Sequence, residues 1–109
     1  KYASEQFILE LLPVLDSFDR ACDHAKETAG DDETIGGFFM IQKQFHNVLD
    51  KLGVKEIETL NQPFDPNVHQ AISQEEAEDV EPDTVIKEMQ KGYKLHEKVI
   101  RPSMVVVSK

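Results

Sequence analysis

The sequence predicts an α+β fold, with helices over the first half and a small, mostly antiparallel β module over the second. Three observations carry that expectation. Up to Leu52, apolar residues recur every three or four positions, the period of an amphipathic helix. Beyond Gly53 the period changes to two, and β-branched runs such as "KVI" and "MVVV" appear. Prolines at 63, 66, 82 and 102 and the glycine at 92 then punctuate the chain at short intervals, as turns do. The expected domains are a helical region over residues 1–52 and a β module over residues 53–109.

In the first helical stretch, Ile8, Leu11, Leu15, Phe18, Cys22 and Ala25 alternate at spacings of three and four, an a/d-like seam. Pro13 interrupts it. Proline has no N–H to donate and its ring clashes with the preceding turn, so a break or kink is expected near Leu12, where one helix should end. Another should run from about Val14 to Ala29, with Gly30 as its stop. The next helix spans about Asp32 to Leu52, with Asp31 or Asp32 as its cap. Its seam is Phe38, Ile41, Phe45, Val48 and Leu52. Two short helices with one apolar stripe each do not enclose a core. Pairing two such hairpins does, which predicts a four-helix bundle across a homodimer. Leu11, Leu15, Phe18 and Cys22 would share that core with the second seam.

In the β half, Val54–Leu60 and Thr84–Gln90 alternate as half-buried strands do. Glu75–Asp83 carries six acids in nine residues and reads as an exposed loop. The stretch "PFDPNVHQAI" (Pro63–Ile72) places Asp65 four residues before His69. A catalytic pair would need a nucleophile or bound water and a pocket. The residues instead suggest that Asp65 starts a turn, its carboxylate bonding backbone N–H groups two residues on, with Pro66 fixing φ and His69 opening a strand through Ile72.

The formal net charge of −9 argues against nucleic acid, which needs clustered cations. Lys87, Lys91, Lys94, Lys98 and Arg101 are spread among acids and apolar positions, and read as a solvated sheet face. No apolar run approaches the roughly 20 residues that span a bilayer, so no membrane partner is expected. Lys1 falls inside an amphipathic pattern without an initiator Met, as in a piece of something longer. The single cysteine, Cys22, lies between Asp19 and Asp23, whose charges disfavour a thiolate; it reads as a core residue in a reducing compartment. His24, His46, His69 and His96 fall into no zinc spacing, Gly36–Gly37 lacks the rest of a phosphate loop, and no nucleophile elbow occurs. Neither a cofactor nor a metal is expected, and no enzyme is visible.

Four blocks carry a resemblance: "LLPVLDSFDRA" (Leu11–Ala21), "KQFHNVLDKLGVKEIE" (Lys43–Glu58), "QPFDPNVHQAI" (Gln62–Ile72) and "MQKGYKLHEKVIRPSMVVVSK" (Met89–Lys109). In order and spacing they resemble the signature blocks of GrpE, the nucleotide exchange factors of DnaK-type heat-shock chaperones. The closing GYxLxxxxIRPxMV pattern is the most specific. The resemblance implies a homodimer with the end of a long paired helix over residues 1–12, bundle helices, and a β-wing from Gly53 to Lys109. It implies binding to the chaperone's ATPase domain, opening of its cleft and faster ADP release, during folding and stress response. Chaperone contacts are implied at Phe64, Pro66, Met89 and Val107 in the wing, and at Arg20, Asp23, His24 and Gly37 in the bundle. Each has a plainer reading: wing core for Phe64 and Met89, a solvated face for Arg20 and Asp23, a plain strand residue for Val107. Gly36, the Phe38–Phe39 pair and His24 depart from the usual pattern. The implied compartment is a bacterial cytoplasm, with a mitochondrial or plastid matrix as the alternative. The rival reading is a structural dimerisation module without exchange activity.

Overall fold

In the computed structural model, which describes residues 2–29 and 33–109, the chain divides into two compact units, Lys1–Gly53 and Val54–Lys109. The first consists of α1 (Tyr2–Ala29) and α2 (Glu33–Lys51). The predicted stop at Gly30 and cap at Asp31 or Asp32 lie outside the described residues.

The expected break at Pro13 does not occur: one helix runs from Tyr2 through it to Ala29. Proline inside a helix costs about 3 kcal/mol. Pro13 lies on the exposed side, where water can meet the carbonyl left without its helical donor. Leu12 and Leu15 lie on either side of it, 0% and 1% exposed, and their burial offsets part of that cost.

The buried positions of α1 are Ile8, Leu12, Leu15, Asp19 and Cys22, and α2 adds Leu49. This seam, spaced four, three, four, three, keeps Ile8, Leu15 and Cys22 of the expected one but takes Leu12 in place of Leu11 and Asp19 in place of Phe18. Leu11 and Phe18 are only half-buried and border it. Asp19 puts a carboxylate on the seam, and α2 meets its Oδ1. Asp19 Oδ1 accepts from Gln42 Nε2 at 2.7 Å and lies 3.1 Å from His46 Nε2. This polar clasp ties α1 to α2 from inside, because leaving either partner unmet would carry a desolvation penalty.

The second unit holds β1 (Val54–Glu56), β2 (His69–Glu75), β3 (Val85–Gln90), β4 (Tyr93–Leu95), β5 (Lys98–Arg101) and β6 (Ser103–Ser108). They form two three-stranded sheets, ordered β1-β4-β5 and β2-β6-β3. Three of the four pairings are antiparallel; β2 with β6 is parallel. Val85, Val105 and Val107 form the core of the second sheet, and Phe64 packs against it. The acidic segment after β2 is largely exposed, as its charge demands.

The closing sequence block joins strands β4, β5 and β6. A Cβ at Gly92 would overlap the Ser103 backbone N and the Pro102 carbonyl carbon, so close backbone approach requires glycine there. Arg101 donates from Nε to the Lys91 carbonyl at 2.9 Å and stands over the Tyr93 ring, 5.4 Å from its centre. Thr59 Oγ1 bonds the Ile57 carbonyl and lies 2.8 Å from Ser103 Oγ, both side chains buried. The most recognisable motif of the chain is thus a lock that positions β4, β5 and β6.

Candidate functional site

The wing surface is shaped by the turn between Pro63 and His69. Asp65 starts it as expected: its Oδ1 accepts from the Asn67 N–H at 2.9 Å, an Asx turn. The Asp65 carbonyl accepts from the N–H groups of Val68 (3.1 Å) and His69 (2.8 Å). Both ends are fastened to the sheet, Phe64 N–H to the Asp83 carbonyl at 2.8 Å and Ser103 N–H to the Val68 carbonyl at 3.0 Å. The loop is therefore held by backbone bonds and not by side-chain packing alone.

Asp65 and His69 do not form a carboxylate–imidazole pair. The Asp65 backbone N–H donates to His69 Nδ1 at 3.0 Å, so the ring is an acceptor at that nitrogen. His69 is 4% exposed, and burial pushes its imidazole below the usual histidine range, with the Asp65 charge acting weakly the other way. Catalysis at this pair has no geometric support.

The side chains singled out by the sequence fall into three environments. Pro66 and Met89 are exposed, Met89 at 61%, and Phe64 is half-buried with one side on the valine core and its ring 5.9 Å from that of His69. These three are available to a partner. Val107 is not: at 3% exposure on the central strand β6, its side chain belongs to the core cluster with Val85 and Val105. Its plainer reading as a strand residue is the one the structure supports. Arg20, Asp23, His24 and Gly37 are exposed on the helical unit. Arg20 Nη2 reaches Ser17 Oγ at 3.2 Å on the same face. A Cβ at Gly37 would meet nothing within 4 Å, and the same holds at Gly36, so packing within the chain requires glycine at neither position.

The expected bundle core divides as well. Leu15 and Cys22 are buried within the chain, but Phe38, Ile41, Val48 and Leu52 are roughly half exposed. Leu11, Ile41, Phe45, Val48 and Leu52 line an open, largely apolar groove of about 360 Å³, together with Phe7, Leu49 and Gln44. The groove leaves a contiguous apolar face open on the helical unit. Cys22 is inert: burial raises its thiol first, and Asp19 and Asp23 add to it.

Sequence reasoning missed two residues, Asp19 and Leu12. The available signal was the pair Gln42 and His46, four apart on α2, which places two polar groups on one helix face opposite a carboxylate. Among the described residues, no group of three or more His, Cys, Asp or Glu could hold a metal ion, and no helix is long and apolar enough to cross a membrane.

A helical pair with an exposed apolar groove, followed by a β-wing with a hydrogen-bonded surface turn, defines an α+β protein of helices plus wing. The GrpE family model matches residues 1–109, and the chain belongs to the GrpE family. It is 45% identical over 108 residues to Protein GrpE of Bacillus velezensis, covering 99% of this chain and 56% of that protein. Identity to Protein GrpE of Aeromonas hydrophila is 48% over 110 residues, covering 100% of this chain and 58% of that protein. For Protein GrpE of Caldanaerobacter subterraneus the identity is 50% over 109 residues, with coverages of 99% and 52%. The chain thus spans little more than half the length of these relatives.

Proposed function

We propose that this chain is the bundle-and-wing part of a nucleotide exchange co-chaperone. It docks on the ATPase domain of a DnaK-type chaperone, favours the open nucleotide cleft and accelerates ADP release. The observation that carries this reading is the family match over the whole chain. The reaction needs no covalent chemistry: a protein that binds the open conformer more tightly than the closed one shifts the equilibrium by that difference alone. It therefore acts as a binding protein and not as an enzyme, and it needs no cofactor.

The contact set consists of Phe64, Pro66 and Met89 in the wing and Arg20, Asp23, His24 and Gly37 on the helices, all at least partly exposed. The apolar groove around Ile41 and Val48 is filled by a second copy, giving the four-helix bundle of a homodimer. The compartment is the bacterial cytoplasm or an organelle matrix. Gly37 supports the helical contact, since mid-helix glycine costs about 1 kcal/mol relative to alanine and nothing inside the chain calls for it.

Stopped-flow release of a fluorescent ADP analogue from a DnaK-type ATPase domain tests the reading. Acceleration by the chain should fall by about tenfold or more in Phe64→Ala and Met89→Ala, the scale of an interface anchor. Gly37→Asp should weaken docking while leaving the fold intact. If a folded chain leaves the release rate unchanged, the rival reading stands: a dimerisation module, which the exposed groove favours on its own.

A further inference from the structure

His69 is a buried titratable group that the exchange reaction does not use, and it sits under the turn assigned to docking. Its Nδ1 accepts the Asp65 N–H at 3.0 Å, so that nitrogen carries no proton. The ring proton of the neutral form is then on Nε2, which is buried and finds no hydrogen-bond partner among the described residues. The same ring lies 5.9 Å from Phe64, its plane tilted by 37°. One imidazole thus supports both the first backbone N–H of the loop and the aromatic side chain beside it.

We propose that His69 is a positioning residue for the docking turn: its unprotonated Nδ1 holds Phe64 and Pro66 in place, and protonation of the ring releases the turn and weakens docking in mildly acidic solution. This rests on the exchange reading for its consequence, but the switch itself is a property of the wing.

The chemistry follows from counting donors. An imidazolium carries N–H groups on both nitrogens. The Nδ1–H would point at the Asp65 N–H, donor against donor, and the loop would lose a bond that now holds it. The second N–H would be a charged donor buried without an acceptor. Both penalties fall on the charged form. Asp65 is the charged group that faces the ring, and it favours the imidazolium, but its carboxylate already accepts from Asn67 N–H. The strand paired with His69 presents Ser103, which is uncharged. Burial therefore prevails, and the folded ring binds a proton less readily than the unfolded one. Stability from the neutral ring is complete above the ordinary value of 6.5 and falls as pH drops below it.

Two substitutions and one spectrum test this. His69→Ala removes the acceptor; His69→Asn replaces Nδ1 with an Oδ1 that accepts the same N–H and does not titrate. ADP-analogue release is measured for wild type and both variants between about pH 7.5 and 5.5, each rate divided by that of the chaperone alone. His69→Ala should accelerate release less than wild type at about pH 7.5, and His69→Asn should recover most of that loss. Wild-type acceleration should fall by about three- to tenfold toward the acid end, the scale of one lost hydrogen bond, while His69→Asn stays level. Parallel profiles for wild type and His69→Asn would overturn the proposal. Nitrogen NMR of the His69 ring needs no chaperone and separates the two readings. An Nε2–H tautomer, with the Asp65 amide shifting as the ring titrates, supports the switch even if exchange fails. An Nδ1–H tautomer, or a ring already charged at pH 7, sinks it.

Discussion

The two units of this chain solve the burial problem in opposite ways. The wing completes its own core: Val85, Tyr93, Val105 and Val107 are at most 3% exposed, and the Gly92–Ser103 contact and the Arg101 clamp fix strands to one another. The helical unit buries one seam and leaves another in the open, with Phe7, Ile41, Val48 and Leu52 all near or above half exposure. A three-residue strand has too little surface to stand alone, so the wing depends on long-range locks. A helix satisfies its own backbone and can afford an unfilled face. The difference is that the wing closes its core within the chain, whereas the hairpin leaves an apolar face open.

The largest expected effect comes from breaking the wing's lock. Gly92→Ala forces a methyl group into the Ser103 backbone and should destabilise the wing by about 3 kcal/mol or more, the range for overpacking against backbone. Amide exchange resolved by unit should show β-strand protection lost while the helices keep theirs. Equal loss in both units would mean that the units do not fold independently.

Ile41→Asp addresses the other side of the comparison. It places a charge in the apolar groove at a position already 52% exposed in the single chain, so the hairpin should tolerate it. Analytical ultracentrifugation should show a dimer reduced to monomer, a loss of about 2–4 kcal/mol at a packed interface, with the wing spectrum unchanged. A dimer that survives would move the interface elsewhere.

The smallest effect sharpens the account of the wing. Burial is the main cause that raises the Glu88 carboxyl above its ordinary value of 4.5, with Glu56 adding and Thr59, Lys91 and Ser103 opposing. A raised acid binds its proton more tightly when folded, so the protonated side chain is the one that folding favours. Ionised Glu88 therefore weakens the wing at neutral pH, and the penalty disappears as pH falls through the raised value toward 4.5. Glu88→Gln should give a small rise in melting temperature at pH 7 and none in acid. A variant less stable than wild type at pH 7 would show that the carboxylate is a net asset to the network.

Much of this was legible in the residues, and what was missed shares one cause. Helix and strand periods, the Asx turn at Asp65 and the strand opening at His69 depend on neighbours a few positions away, which a sequence displays directly. The GrpE blocks added the family. Which of two adjacent leucines, Leu11 or Leu12, lies at the centre of α1 is decided by α2, as is the burial of Asp19 against Gln42 and His46. Pro13 reads as a break in one dimension and is overridden by packing on both sides of it. That Val107 is buried follows only from β6 lying in the middle of its sheet, with β2 parallel to it. Local period and backbone chemistry were determined by the sequence alone. Which face turns inward was decided only in the tertiary structure, because burial is a property of contacts between residues far apart in the chain.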